Sequence, residues 1–383
     1  MDGDWQDSRD YQRDERPRRR GGAGRVSAAI VAAILAVAAF LGYRGELPGW
    51  PSLERVPAAA PAVVEPRPPL DPVAVSAGME PVLVNINAST KPFGVGAAGS
   101  GIVLTADGQV LTSHHVVKGA EAVKVTRVSD GLVYEAEVLG YDSSTDIALL
   151  GLVGATGLTT ARIGSSSGLR LRDEVLAIGN AGGTGAPTAV SGHISDLDST
   201  ILALNSADLS RKALTGMVEI TAAVSSGQSG GALADHAGAV IGVIAAASGD
   251  HEEDEDPGAQ AQRPPIGYAV PIDTAMRVVR QIRSGTPTET VHIGPTATLG
   301  VLISDARPSG ARVDVAIYGL PAHDAGLADG EIITSIDGRA ITTARALRAA
   351  INKHKPQDVV QLGVTGPGGE RTVRVVLGAG TPN

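Results

Sequence analysis

From about residue 76 onward, short runs of apolar and β-branched residues alternate with turn signals. Examples are 81–87 (PVLVNIN), 101–113 (GIVLTADGQVLTS), 122–128 (AVKVTRV), 133–140 (VYEAEVLG), 174–180 (EVLAIGN), 217–224 (MVEITAAV) and 231–246 (GALADHAGAVIGVIAA). Runs of this length read as strands, and Asp107-Gly108 between two of them reads as a hairpin turn. Many short strands over some 200 residues predict a mostly β fold, built as a sandwich or a pair of barrels rather than a parallel sheet. The period then changes. In 272–284 (IDTAMRVVRQIRS), Ala275, Met276, Val279 and Ile282 share one face of a helix.

A different pattern precedes the strands. Residues 26–43 (VSAAIVAAILAVAAFLGY) carry no charge. As a helix they span about 27 Å, close to the ~30 Å hydrocarbon core of a bilayer. Arg18, Arg19, Arg20 and Arg25 stand just before them. The positive-inside rule then keeps residues 1–25 in the cytoplasm as a disordered tail and exports the rest. A cleaved signal peptide is the rival, but its apolar region and leader are shorter than those here. Residues 44–75 are Pro- and Ala-rich and read as an extended spacer. The expected localisation is single-pass in the cell membrane, with the remaining domains extracytoplasmic.

Composition narrows the chemistry. The 383 residues are 43% hydrophobic but only 3% aromatic, so the core must be Val, Ile, Leu and Ala. The net charge of −9, with no basic stripe beyond the first 25 residues, argues against nucleic acid as a partner. The absence of cysteine removes disulfides, thiolate catalysis and thiolate-bound metal. No metal motif is present and no cofactor is expected. The acidic run 251–256 (HEEDED) lacks the spacing and glycine of a calcium loop and reads as a solvated loop.

Three segments carry chemistry: 112–117 (TSHHVV), 145–150 (TDIALL) and 227–233 (GQSGGAL). A serine hydroxyl needs a base, the base needs a carboxylate to fix its tautomer, and the intermediate needs backbone donors for its oxyanion. Gly227 lets the chain turn so that its own N–H and that of Ser229 converge. Gly230 and Gly231 leave room beside the nucleophile. The G-x-S-x-G pattern also matches the elbow of α/β-hydrolases, but those place their Asp and His after the Ser. Here the partners precede it, in a strand-rich region. Asp146 opens an apolar run and needs a buried partner. His114 and His115 are neighbours on a segment read as extended, so only one can face Ser229; spacing does not choose between them.

These segments resemble the HtrA family of trypsin-like serine proteases. The family's T-N-N-H-V-V corresponds to Thr112–Val117, its T-D-I-A-[VL]-L to Thr145–Leu150, and its G-N-S-G-G-P-L to Gly227–Leu233, with Gln228 and Ala232 substituted. Residues 177–183 (AIGNAGG) and 266–271 (IGYAVP) match two further segments. The resemblance covers 76–380. It implies a catalytic triad of His115, Asp146 and Ser229, an oxyanion hole from Gly227 and Ser229, and two six-stranded β-barrels with the site in the cleft between them. Thr221 and Ser225-Ser226 depart from the pattern on the loop entering the oxyanion hole. Ala223 and Ala245 fall where a specificity pocket would lie and imply a small or medium apolar preference. Residues 295–380 resemble a PDZ domain of the same family, with 298–301 (TLGV) and 320–341 carrying the likeness. Thr298, Leu299, Gly300 and Val301 would then receive the C-terminus of a bound peptide.

The expected domains are thus a tail at 1–25, a transmembrane helix at 26–43, a linker at 44–75, a protease domain at 76–286 and a PDZ domain at 295–380. The resemblance implies an extracytoplasmic endopeptidase of unfolded or misfolded proteins, with a homotrimer or larger assembly. The alternative on the same scaffold is a non-proteolytic chaperone or peptide-sensing adaptor.

Overall fold

The computed structural model describes residues 23–44, 68–89, 96–204, 211–247 and 265–382. Residues 1–22, most of the 44–75 linker and the acidic run 251–256 lie outside them. The chain divides into two units, Met1–Pro66 and Arg67–Asn383.

The first unit contains helix α1 (Ala23–Arg44), which encloses the apolar run. Its described side chains run from Ile30 to Leu41, and Ile30, Val31, Ile34, Leu35, Val37 and Phe40 are all exposed. Among the described residues, no helix is long and apolar enough to cross a membrane.

The second unit begins with α2 (Pro72–Met79). Asp71 caps it, its carboxylate accepting from the N–H groups of Val73 and Ala74 at 3.1 Å, and Pro72 opens it with φ already preset. Val75 and Met79 are buried in the core. The folded unit therefore takes in residues that the proline content assigns to the spacer. The proline there starts a helix rather than extending the chain.

Six strands follow: β1 (Leu83–Ser89), β2 (Gly96–Val103), β3 (Gln109–Ser113), β4 (Ala122–Arg127), β5 (Val133–Asp142) and β6 (Ile147–Leu152). They pair in the order β5-β4-β1-β2-β3-β6, and β6 returns to β5, which closes a barrel. The Asp107-Gly108 turn joins β2 to β3, with Gly108 at φ 101. Alternation decides which core each side chain enters. Val110 points into the barrel with Val84, Ile86 and Val125, while Leu111 points out to a second core with Ile102, Ile147 and Leu149.

A second closed barrel is formed by β7 (Glu174–Gly179), β8 (Thr188–Leu204), β9 (Arg211–Ile220), β10 (Ala232–Ala234), β11 (Val240–Ala247) and β12 (Gly267–Pro271). Its interior holds Val175, Ile194, Val218, Ile220, Leu233 and Ile244. Leu176, Ile178, Val243 and Val270 meet Leu111 and Leu149 in the core shared by the two barrels. Helix α4 (Ile272–Arg283) buries Ile272, Ala275, Val278, Val279 and Ile282, close to the face expected from its period.

A short strand β13 (Val291–Ile293) adds to β5, so the connection to the C-terminal part is itself part of the first barrel's sheet. The C-terminal part has strands β14 (Thr296–Thr298), β15 (Val301–Asp305), β16 (Ala311–Ala316), β17 (Ile332–Ile336), β18 (Arg339–Ala340), β19 (Val359–Gly366), β20 (Gly369–Val376) and β21 (Gly378–Gly380). The main sheet runs β15-β16-β17-β19-β20, and β14 pairs with β21. Its core includes Val313, Ile333, Leu347, Val360, Leu362 and Val375. Two helices complete it: α5 (Pro321–Asp324) and α6 (Ala344–Ile351), the latter capped by the Thr343 hydroxyl.

Candidate active site

The residues expected as base and carboxylate stand at the same end of one β-ladder. β3 pairs with β6 from Gln109–Gly151 to Ser113–Ile147, so the residues just past this end, His114, His115 and Asp146, are neighbours. The chain does not stay extended there. Residues His114–Val117 form a single helical turn, α3. Successive side chains in a helix diverge by about 100°, which sends His114 inward and leaves His115 outward. His114 is buried, whereas the His115 side chain is 41% exposed. The choice that spacing leaves open is thereby made: His115 faces the carboxylate.

Asp146 grips His115 twice. One carboxylate oxygen accepts the His115 backbone N–H at 2.9 Å, and the other meets Nδ1 at 2.7 Å. The Asp146 carbonyl accepts from the His114 N–H at 3.0 Å. Asp146 lies at φ 58, in the left-handed region that non-glycine residues rarely enter and Asp enters more readily than most. Burial by itself would raise the Asp146 pKa. The charge of His115 and its side-chain and backbone hydrogen bonds outweigh this, and the net shift is downward. Asp146 is therefore ionised at neutral pH and acts only as an acceptor. The proton between the pair belongs to Nδ1, so in the neutral ring the lone pair lies on Nε2.

The nucleophile segment is held against this pair by shared acceptors. The Ile244 carbonyl accepts from both the Ser113 hydroxyl (3.0 Å) and the Gly230 N–H (2.7 Å), tying the residues beside His114 and Ser229 to one point. Ser229 is half-buried. Its hydroxyl donates to the Ala245 carbonyl at 3.2 Å. That carbonyl is available because the β11–β12 ladder shifts register between Ile244 and Ala246. Ala245 itself is buried and Ala223 is exposed.

Gly227 adopts φ 90, and an added Cβ would strike the Asn180 carbonyl. Only glycine fits that turn. Gln228 is fully buried. Its amide accepts the Ser225 N–H at 2.8 Å and donates to the Thr188 carbonyl at 2.9 Å. A neutral amide thus anchors the loop carrying the substitutions Ser225-Ser226.

Ser100 escapes the sequence reading. It is buried in β2, between Gly99 and Gly101. Its hydroxyl donates to the Gly227 carbonyl (2.8 Å) and accepts the Asn180 N–H (2.8 Å), while its own N–H donates to the Ser229 carbonyl (2.8 Å). One first-barrel residue therefore orients both residues expected to bind the oxyanion. The flanking glycines are the local trace of this close approach; a Cβ at Gly99 would fall 2.6 Å from Val116.

In the C-terminal part, Thr298 ends β14 and Val301 begins β15, with Leu299 and Gly300 as the loop between them. Gly300 lies at φ 76, and a Cβ there would run into Leu320. The loop sits at the edge of the sheet, in a cavity of about 250 Å³.

Comparison with known proteins agrees with this geometry. Residues 99–243 match the trypsin-like peptidase domain, and residues 297–377 match the PDZ domain. The chain is 32% identical over 369 residues to serine protease PepD of Mycobacterium tuberculosis, covering 93% of this chain and 77% of that protein. It is 30% identical over 296 residues to the periplasmic serine endoprotease DegP of Escherichia coli, covering 75% of this chain and 58% of that protein. With a peptidase double barrel, a PDZ domain and this similarity along nearly the whole chain, the protein belongs to the HtrA family of serine endopeptidases.

Proposed function

We propose that the protein cleaves unfolded or misfolded proteins in the extracytoplasmic space, with His115, Asp146 and Ser229 as its triad. The observation that carries this reading is the buried, ionised Asp146 bonded to His115 Nδ1 at 2.7 Å, with Ser229 held on the neighbouring barrel. Ser229 Oγ attacks the scissile carbonyl as His115 Nε2 takes its proton. The imidazolium is stabilised by Asp146, and the oxyanion is received by the N–H groups of Gly227 and Ser229. The proton then passes to the leaving amine. Water repeats the sequence on the acyl-enzyme and frees Ser229. Ala223 and Ala245 would shape a pocket for small or medium apolar side chains.

The loop Thr298–Val301 would receive the C-terminus of a peptide added along β15. The apolar run within α1 would anchor the chain in the membrane with its arginine-rich end in the cytoplasm. Assembly as a homotrimer belongs to the same reading.

One observation favours a second reading, a peptide-sensing adaptor or chaperone. The Ser229 hydroxyl directs its proton to the Ala245 carbonyl, and it has to turn toward His115 before attack. Casein cleavage by the wild type and by Ser229→Ala separates the two. A protease loses about 10⁴-fold or more of its turnover on this substitution. If both proteins leave casein intact yet suppress its aggregation equally, the adaptor reading replaces the protease.

A further inference from the structure

The cavity at the Thr298–Val301 loop is not built by the C-terminal part alone. Leu347, Arg348 and Ile351 of α6 form one side of it, and Lys118 forms another. Lys118 follows α3 directly and lies three residues beyond His115. Its position is fixed by its neighbour, because the Gly119 N–H donates to the Pro382 carbonyl at 2.7 Å. We propose that Lys118 binds the terminal carboxylate of a peptide seated on β15, making the segment that bears the catalytic base part of the peptide site. The inference rests on the reading of this loop as a receptor for peptide C-termini.

Three features support a carboxylate as the occupant of this end of the groove. The first is the loop's own state. The Gly300 N–H is taken by the Thr298 hydroxyl at 3.2 Å, so the loop does not offer that donor to an anion. A cation from outside the loop takes its place. The second is charge. In a chain of net charge −9, two cations, Lys118 and Arg348, line this cavity, and Lys118 and Arg345 each repel Lys212. Burial first, then Lys118 and Arg345, push the Lys212 pKa down against the pull of Asp146 and Asp142. An incoming carboxylate is attracted to Lys118 and Arg348 on the cavity wall. The third is size and lining. A cavity of about 250 Å³ floored by Leu299, Ile303, Leu347 and Ile351 accommodates one apolar side chain beside a carboxylate. β15 is the edge strand of its sheet, open to an added strand.

The test uses the full-length chain in detergent, carrying Ser229→Ala so that the probe survives. Fluorescence polarisation measures binding of an octapeptide ending in valine, as the free acid and as the C-terminal amide. Lys118→Gln should weaken the free acid about tenfold, equivalent to about 1.4 kcal/mol, and change the amide by less than twofold. Lys118→Arg should restore most of the free-acid affinity, and it keeps the test valid if Lys118→Gln perturbs the fold. An unchanged affinity for the free acid, or an equal loss for acid and amide, overturns the role of Lys118 while leaving the groove reading intact. If the Ser229→Ala chain with Lys118 intact binds neither peptide, the groove reading itself fails and takes this inference with it.

Discussion

Replacing the buried His114 with phenylalanine should flatten the acid dependence of stability. His114 is 4% exposed, stacks on Tyr141 at 4.5 Å between ring centroids, and has no hydrogen-bond partner for Nε2. Burial is the main cause that lowers its pKa from 6.5 to about 4; Asp146 opposes this, and Lys212, Lys118 and His115 add to it. Below pH 6.5 the unfolded chain therefore takes up a proton that the folded chain refuses until about pH 4. Stability falls as pH drops through this window, and the full loss is about 3.4 kcal/mol at 1.36 kcal/mol per unit. Between pH 7 and 4.5 the linkage amounts to about 2.4 kcal/mol. Phenylalanine preserves the ring stack on Tyr141 and has nothing to titrate. His292, lowered mainly by burial and also by Lys355, contributes equally to both proteins and cancels in the difference. Asp146 is lowered too, but its contribution is lost only below the ordinary carboxylate range, outside this window. Urea unfolding of both proteins on the Ser229→Ala background, at intervals from pH 7 to 4.5, gives the difference directly. Parallel stability curves with and without the His114→Phe substitution would refute the argument, because they would mean that the ring gains its proton as readily when folded as when unfolded.

Two further substitutions probe the frame around Ser229. Ser100→Ala strips the buried Gly227 carbonyl and Asn180 N–H of their partner, at about 1–3 kcal/mol for each group left unsatisfied. It should also lower kcat about 10- to 100-fold with little change in KM, while unchanged kcat would show that Ser100 does not position the oxyanion donors. Gly230→Ala forces a side chain onto φ 82 and drives its Cβ into the Ser100 carbonyl and the Thr112 hydroxyl. It should cost several kcal/mol, and a melting temperature within a degree or two of wild type would refute the clash.

The sequence by itself determined the elements and the chemistry. Alternation in 122–128 specified a strand whose inward side is Val123 and Val125, because a strand's side-chain period is local. The Asp-Gly turn at 107–108 and the face of α4 are local for the same reason. The ordered His, Asp and Ser segments carried the expectation of a triad, since each piece of that chemistry needs a fixed residue type. What tertiary structure alone decided was which groups meet. Ser100 stands 80 positions from Asn180 and 127 from Gly227, and Ser113 stands 131 from Ile244. Such contacts exist only after both barrels close, so one serine among many carries no local mark of its role beyond two glycines. The turn at α3 arises where β3 ends against Asp146, and it sends His114 inward and His115 outward in a way no neighbour spacing dictates. Lys118 reads along the chain as an ordinary surface lysine. Only the docking of the C-terminal part, through β13 against β5 and Gly119 against Pro382, makes it a wall of the cavity at the Thr298–Val301 loop.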